Sequence, residues 1–229
     1  MERGGKGGGD TINQRIQQPE AEMGIREMEI SGHKVIIHER DDSSDPSTGR
    51  ALTGSWLWDA AIHLAEWMAA DGGPHLAGAT VLELGAGTGL PGLLAAAMGA
   101  ARVVLTDVAQ LLPGLRASAE ANGLGSRVEV RELRWGSGEQ AVAEADVVLM
   151  SDVFYDPEEM GGLASAMRAA WGESTTGWAA SEVRPGVGEC LEALRREGFE
   201  VVEVEERVRP LLRAEGETSV FAVYRVRRA

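Results

Sequence analysis

Short strand-like apolar segments alternate with longer helix-like segments from residue 79 onwards. We predict strands at 79–84, 101–106, 127–133, 145–150 and 176–181, and helices at 90–98, 109–121, 157–170 and 186–196. Strands and helices that alternate in this way form a parallel sheet with helices on both faces, so the predicted fold class is α/β. Two final strands, at 200–206 and 219–226, have no long helix between them. We therefore expect a reversed strand at the C-terminal edge of the sheet.

Three regions of the chain differ in composition. Residues 1–20 are polar and rich in glycine, and we expect a disordered tail because such a segment cannot bury enough apolar surface. Residues 21–75 form a predicted N-terminal extension of short strands and a helix. Residues 76–229 contain the alternating segments and form the predicted main domain.

The extension contains a predicted hairpin and a predicted helix. Residues 28–39 suit one or two short strands that turn at Ser31–Gly32, and a polar loop follows at 40–50. From Ser55 onwards, apolar residues recur three and four positions apart, as they do on one face of a helix. Thr53 or Ser55 is the candidate cap of this helix.

Composition and charge exclude several classes of protein. No apolar run in the 229 residues is long enough for a transmembrane helix, and no apolar stretch follows the N-terminal charges as in a secretory signal. Cys190 is the single cysteine, so we expect a reducing compartment, the cytoplasm or alternatively the nucleus. The net charge of −14 argues against a nucleic-acid or anionic membrane partner. The four histidines lack ligand spacing, and we expect no metal site.

The clearest chemical motif is VLELGAGTGL at 81–90. It joins a strand to a helix through glycines that include Gly85 and Gly87, and such a turn lets a helix N-terminus approach a ligand closely. Asp107 ends the next strand, 22 residues after Gly85, where a carboxylate can accept hydrogen bonds from ribose hydroxyls. The pattern predicts a site for a nucleoside.

Charge indicates which nucleoside binds. Leu90 stands where a dinucleotide fingerprint has its third glycine, and the lysine of a phosphate-binding loop is missing. Glu83 lies two residues before Gly85, and its carboxylate would repel a pyrophosphate but attract the ammonium and sulfonium groups of S-adenosylmethionine. We therefore predict S-adenosylmethionine as the cofactor, in preference to NAD or ATP.

Two further segments follow strand ends and should face the same crevice. Trp135 follows the third strand of the sheet, where its indole could stack on an adenine or lie in the core. The segment SDVFYD at 151–156 ends the fourth strand, and its spacing can point Asp152 and Tyr155 into one pocket. Asp156 is the better candidate for the cap of the helix that follows.

Five segments, in this order, resemble the family-16 class I methyltransferases, in which protein-lysine methyltransferases predominate. They are TGSWLWDAAIHLAEWM at 53–68, VLELGAGTGLPGLLAAAMGA at 81–100, VVLTD at 103–107, LRWG at 133–136 and SDVFYDPEEM at 151–160. The tetrad WDAA at 58–61 is most similar to the branch that methylates the valosin-containing AAA ATPase chaperone. The resemblance implies a Rossmann-like, seven-stranded sheet with an antiparallel C-terminal strand. It also implies S-adenosylmethionine as methyl donor and a lysine-bearing protein as substrate.

The resemblance also implies roles for individual residues. Asp107 would hold the ribose and Trp135 would flank the adenine, while Asp152 and Tyr155 would be the catalytic pair of an Asp-x-x-Tyr motif. The residues implied to contact the cofactor are Trp58, Glu83, Gly85, Ala86, Gly87, Asp107, Trp135 and Ser151.

The expected reaction is an in-line attack of a lysine nitrogen on the sulfonium methyl group. A dry pocket would help the lysine lose its proton, Asp152 would orient the incoming ammonium, and Tyr155 would position the nitrogen or take part in proton release. Glu182 and Arg184 stand where family members often carry a polar segment.

Three alternatives remain open at this point. They are a methyltransferase for a small-molecule amine or RNA, a non-catalytic methyltransferase-like binding protein, and a nicotinamide oxidoreductase. Val153 and Phe154 replace the two prolines that are usual in enzymes methylating amino groups of nucleic-acid bases, which argues against RNA.

Overall fold

A computed structural model describes residues 23–40, 53–138 and 144–229. The predicted tail at 1–20 and residues 41–50 of the predicted loop lie outside the described residues. The strands in the described part are β1 (Met23–Ile30), β2 (His33–Arg40), β3 (Thr80–Leu84), β4 (Arg102–Asp107), β5 (Val128–Glu132), β6 (Ala145–Ser151), β7 (Trp171–Glu182), β8 (Phe199–Pro210) and β9 (Thr218–Arg228). The helices are α1 (Asp59–Met68), α2 (Leu90–Ala97), α3 (Leu112–Ala121), α4 (Met160–Ala170) and α5 (Val187–Arg196), with 3-10 turns at Thr53–Ser55 and Pro157–Glu159.

Seven strands form the main sheet, in the order β5-β4-β3-β6-β7-β9-β8. β9 runs antiparallel to both of its neighbours, and the other pairs are parallel. The predicted α/β sheet with an antiparallel C-terminal strand is confirmed. The reversed strand does not lie at the edge, however. Helix α5 returns the chain so that β8 takes the edge, and the short connection at 211–217 then brings β9 back into the space beside β7.

The strand order places a crevice at one end of the sheet. β3 pairs with β4 on one side and with β6 on the other, so the chain crosses over at this strand. In open α/β sheets, ligands bind at the carboxyl ends of the strands where the order reverses. The glycine-rich turn follows β3 directly, and Asp107 and Ser151 end the two neighbouring strands.

Two apolar clusters lie on opposite faces of the sheet. Leu82 and Leu84 of β3 belong to the cluster packed under α4 and α5, whereas Val81 belongs to the cluster under α1, α2 and the β1–β2 hairpin. Because successive side chains of a strand point to opposite faces, Glu83 shares the face of Val81 and points towards α2. This alternation decides where the Glu83 carboxyl group lies.

The N-terminal hairpin is confirmed and packs on the main domain. Ser31 and Gly32 have φ angles of 48° and 81°, as a tight two-residue turn between twisted strands requires. Asn122, at the end of α3, accepts a hydrogen bond from the amide of Ile36 at 2.8 Å and donates one to its carbonyl at 2.7 Å. Ile37 lies in the same apolar cluster as residues of β3 and α2. The boundary between residues 75 and 76 stays a prediction.

The start of α1 differs from the prediction. The helix begins at Asp59, and its N-cap is Trp58, which makes no capping hydrogen bond through its side chain. The prediction of Thr53 or Ser55 as the cap is wrong, because these residues form a separate 3-10 turn and the Ser55 hydroxyl donates to the carbonyl of Arg40 at 2.7 Å. No helix in the described ranges combines the length and apolar character needed to cross a bilayer.

Candidate active site

A cavity of about 600 Å³ opens at the carboxyl ends of β3, β4 and β6. Its size is that of a pocket for a small molecule or cofactor. The structure brings nine of the ten predicted site residues to its wall, which are Trp58, Gly85, Ala86, Gly87, Asp107, Trp135, Ser151, Asp152 and Tyr155. The roles assigned to these residues stay predictions.

Glu83 is the predicted site residue that the structure places elsewhere. Its side chain is completely buried on the α2 side of the sheet, and its Oε2 atom accepts a hydrogen bond from the Gly92 amide at 2.9 Å. Its Oε1 atom has no hydrogen-bond partner among the described residues. Burial raises the pKa of Glu83 to about 8. A largely protonated carboxyl group that faces away from the cavity cannot attract a sulfonium, so the electrostatic argument from Glu83 is not supported.

Several amides of the glycine-rich turn are already engaged within the protein. Three of its amides already donate to protein acceptors: Ala86 to the Thr106 carbonyl at 2.9 Å, Gly87 to Oδ2 of Asp107 at 2.8 Å, and Gly89 to the Ala86 carbonyl at 2.7 Å. A phosphate-binding turn needs such amides free to point at the ligand. These three amides are therefore not available to a phosphate group.

Asp107 is held by the main chain on both of its carboxylate oxygens. Oδ1 accepts from the Val108 amide at 2.7 Å, and Oδ2 accepts from Gly87. Burial raises the pKa of Asp107, while the two amide hydrogen bonds act in the opposite direction. Each carboxylate oxygen can accept more than one hydrogen bond, so this side chain can still accept from hydroxyl groups in the cavity.

Trp135 forms one wall of the cavity and also packs against the apolar core, so its position agrees with both alternatives that the sequence left open. A Cβ atom at Gly85 would lie 3.0 Å from Cζ2 of Trp135 and 3.3 Å from Cγ1 of Val153. The Trp135 ring stacks on Tyr155, with ring centroids 6.3 Å apart and planes 28° apart. An alanine at Gly85 would therefore push the indole back by a few tenths of an ångström, and the φ angle of 65° also favours glycine at this position.

A second wall, formed by residues 53–58, was largely missed by the sequence analysis. Thr53, Gly54 and Trp56 line the cavity beside Trp58, whose indole donates to the Thr53 carbonyl at 2.9 Å. A Cβ atom at Gly87 would lie only 2.7 Å from the Gly54 carbonyl oxygen. A glycine just before two tryptophans, upstream of a glycine-rich turn, is the one signal that could have indicated this contact.

Glu39 holds this second wall in place. Its Oε1 atom accepts from the Leu57 amide at 2.8 Å, and its carboxylate also pairs with Arg26 and Arg213. Burial alone would raise the pKa of Glu39, but the Leu57 amide and the two guanidinium groups together hold it below its ordinary value. The Arg213 guanidinium also lies 5.5 Å from the ring centroid of Trp56.

Asp152 also lines the cavity, in a constrained conformation. Its φ angle is 53°, which is unusual for a residue other than glycine, and its amide donates to the Ala180 carbonyl at 2.9 Å. Its Oδ1 atom accepts from Nη2 of Arg184 at 3.0 Å. Burial raises the pKa of Asp152, and the Arg184 charge opposes this effect. Arg184 also lines the cavity.

Tyr155 stands at the rim of the cavity, with 59% of its surface exposed. Burial of the phenol against the cavity wall, together with the negative charges of Glu159, Asp107 and Asp156, raises the pKa of Tyr155 to about 12. The phenol therefore keeps its proton at physiological pH. Asp156 caps the following 3-10 turn, as predicted, by accepting from the Glu158 amide at 2.9 Å.

No group of three or more histidine, cysteine, aspartate or glutamate side chains in the described part of the chain is placed to hold a metal ion. The acidic side chains of the cavity wall are Asp107, Asp152 and Glu159, and its basic ones are Arg134 and Arg184.

Comparisons with known proteins agree with this geometry. Protein N-lysine methyltransferase METTL21A of Xenopus tropicalis is 38% identical over 102 residues, which cover 43% of this chain and 46% of that protein. Histone-arginine methyltransferase METTL23 of Xenopus laevis is 36% identical over 160 residues, which cover 64% of this chain and 67% of that protein. The chain spans about half the length of several curated relatives that it matches.

A solved structure shares the fold. A putative RNA methyltransferase from Pyrococcus horikoshii superposes with a TM-score of 0.55 at 18% identity, over 75% of this chain and 82% of that one. The narrower resemblance to the branch acting on the valosin-containing chaperone stays a prediction. A family model described as lysine methyltransferase matches residues 43–188, and the chain belongs to that family.

Proposed function

We propose that this chain binds S-adenosylmethionine in the cavity and transfers its methyl group to a lysine side chain of a protein substrate. The observation that carries the proposal is the lining of the cavity, which brings the glycine-rich turn, Asp107 and Trp135 together with Asp152 and Tyr155. Membership of the lysine methyltransferase family supports the reaction type. METTL21A, a similar protein, is named as a protein N-lysine methyltransferase.

The residues at the glycine-rich end fit the cofactor. Asp107 has acceptor capacity left for the ribose hydroxyls, and Trp135 offers an aromatic face for the adenine. The internally bonded amides of the turn suit a ligand without phosphates. Trp58 and Ser151 complete the proposed contacts. When bound, S-adenosylmethionine supplies a methyl group activated by the positive charge on its sulfur.

The residues at the Asp152 end would prepare the acceptor. The Asp152 carboxylate would attract and orient the incoming lysine ammonium, and removal of that group from water would favour its neutral form. Tyr155 keeps its proton, so its hydroxyl would position the nitrogen by a hydrogen bond and would not act as a base. Alignment of the two reactants would supply much of the rate.

The proposal also includes a reducing compartment, the cytoplasm or the nucleus, which is supported by Cys190 being unpaired and buried. It keeps residues 21–75 as an extension of the main domain, which is supported by the separate two-stranded sheet of β1 and β2.

The test combines residue-level labelling with a matched pair of variants. Wild-type chain, radiolabelled S-adenosylmethionine and cell extract should yield labelled methyl-lysine after acid hydrolysis. Asp152→Asn should lower transfer by about a hundredfold, while calorimetry shows nearly unchanged cofactor affinity. The control is Asp146→Asn at the other end of β6, where the carboxylate accepts only from the Thr80 amide among the described residues, and it should transfer normally. Full activity of Asp152→Asn, or label outside lysine, would contradict the proposal.

A further inference from the structure

We propose that Arg184 selects the acceptor: it admits a lysine, which can shed its charge, and excludes an arginine, which cannot. The inference rests on the proposed function and names a specificity determinant within the same site. Relatives of this chain include proteins named for lysine and for arginine methylation, so the choice is a real one for this fold.

The Arg184 guanidinium bridges two carboxylates beside the acceptor position. Its Nη2 atom lies 3.0 Å from Oδ1 of Asp152, and its Nη1 atom lies 3.5 Å from Oε2 of Glu182. Glu182 is held in turn by the Ser219 hydroxyl at 2.5 Å. The internal guanidinium therefore takes up a pair of acidic groups that could otherwise hold a substrate guanidinium.

The register of the sheet fixes this bridge. Ser151 at the end of β6 pairs with Ala180 of β7, and the Asp152 amide continues the ladder by donating to the Ala180 carbonyl. Glu182 ends β7, two residues before Arg184. Asp152 thus follows the end of β6 and Glu182 ends the neighbouring β7, so the two carboxylates stand at adjacent strand ends.

The charge on Arg184 has opposite consequences for the two acceptor types. An arginine side chain keeps its charge at any physiological pH, so it would meet a like charge and would find its preferred carboxylate partners already engaged. A lysine side chain can lose a proton, and a positive charge within about 4–6 Å favours that loss. The same arginine would therefore exclude one acceptor and promote the nucleophilic form of the other.

Asp152 can serve Arg184 and the acceptor together. Arg184 contacts Asp152 through Oδ1, and a carboxylate offers about four acceptor positions in total. An acceptor nitrogen bound to the same carboxylate would therefore lie next to Arg184 without displacing it.

The experiment uses the full chain with radiolabelled S-adenosylmethionine and cell extract as acceptor. Two competitors are compared, a degenerate peptide pool with one central lysine and the same pool with arginine at that position. For the wild type we expect labelled methyl-lysine only, with the arginine pool at least about tenfold weaker as an inhibitor. For Arg184→Gln this difference should fall below about threefold. The pH of half-maximal transfer should also rise by about one unit.

Two further variants separate charge from fold. Arg184→Lys keeps the positive charge and should retain the wild-type selectivity and pH profile. Arg102 starts β4, at the end of that strand opposite the cavity, and its guanidinium pairs with Glu129 of β5. Arg102→Gln removes this guanidinium and should behave as wild type. Calorimetry of Arg184→Gln with S-adenosylmethionine should show that its cofactor site is intact.

The outcomes distinguish this inference from the proposed function. If the wild type binds the cofactor but labels no protein, the proposed function fails and this inference with it. If the wild type labels lysine but Arg184→Gln keeps both its selectivity and its pH profile, only the role of Arg184 is overturned. Labelled methyl-arginine from the wild type would overturn both.

Discussion

Two groups of residues line the cavity and are built in different ways. The glycine-rich end means the turn with Gly87 and Asp107, and the other end means Asp152, Tyr155 and Arg184. At the glycine-rich end, both oxygens of Asp107 are bonded to main-chain amides, and a Cβ atom at Gly87 would meet backbone at 2.7 Å. At the other end, an ion pair between half-buried side chains and a 59% exposed tyrosine face the cavity. Main-chain geometry tolerates little change, whereas charged side chains can be exchanged without moving the backbone. We therefore expect substitutions at the first end to reduce cofactor affinity and those at the second to reduce transfer alone.

The largest effect is expected from Gly87→Ala. The φ angle of Gly87 is 55°, so an alanine there costs about 1–2 kcal/mol, and the collision with the Gly54 carbonyl adds to this cost. The collision would shift the turn or the wall at 53–58 that it meets, and we therefore expect S-adenosylmethionine affinity to fall by at least about a hundredfold in calorimetry.

The matched control for that variant is Gly123→Ala. Gly123 has a similar φ angle of 64°, but nothing lies within 4 Å of the position of an added Cβ atom. This control should lose about 1–2 kcal/mol of stability and bind the cofactor normally. Equal losses of affinity in the two variants would show that general destabilisation, and not the contact with Gly54, explains the result.

The next largest effect is expected from Asp107→Asn. An amide group in place of the carboxylate would turn one donor towards the Gly87 or Val108 amide, which leaves a buried N–H unpaired at a cost of about 1–3 kcal/mol. Cofactor affinity should fall by roughly tenfold to a hundredfold. Burial raises the pKa of Asp107, so wild-type affinity should also weaken as the pH falls and this carboxylate takes up a proton. Calorimetry across the acid range should show this pH dependence in the wild type and not in the variant.

A smaller and different effect is expected from Tyr155→Phe, which tests the second end. The phenylalanine ring can keep the stacking on Trp135, so cofactor affinity should stay unchanged while transfer falls by less than about tenfold. Because the pKa of Tyr155 is about 12, the phenol is protonated at both pH 7 and pH 9. The ratio of wild-type to variant rates should then be the same at these two pH values. A ratio that changes with pH would mean that Tyr155 exchanges a proton during the reaction.

The sequence predicted the elements and most of the site because both depend on local patterns. The glycine-rich turn, Asp107 and the segment from Asp152 to Tyr155 all follow strands whose apolar runs are clear, and parallel strands bring such ends together. The second wall depends on Gly54 meeting Gly87 across the fold, and the glycine before Trp56 and Trp58 was its one local signal. The position of β9 inside the sheet depends likewise on a long-range choice between two neighbours.

Glu83 shows a different limit, because proximity in sequence did not give proximity in space. The carboxyl group lies two residues from the turn, but strand alternation sends it to the α2 face, where it accepts from the Gly92 amide. The alternation of Val81, Leu82 and Leu84 was available in the sequence. The position of the cavity relative to those two faces was not.

The smallest effect on the cofactor is therefore expected from Glu83→Gln. At pH 7 the native group is largely protonated, and glutamine keeps its shape and can still accept from Gly92, so S-adenosylmethionine affinity should change by less than about threefold.

The free energy of unfolding should instead distinguish Glu83→Gln from the wild type. The pKa of Glu83 is raised from 4.5 to about 8 by burial, so the folded state holds this proton more strongly than the unfolded state does. Its contribution to stability is then complete below pH 4.5 and is lost as the pH rises towards 8. Urea unfolding at pH 5, 7 and 9 should show that the free energy of unfolding of Glu83→Gln increases relative to that of the wild type as the pH rises. A tenfold loss of cofactor affinity at pH 7 would instead return Glu83 to the binding site and remove the contrast between a main-chain cofactor end and a side-chain acceptor end.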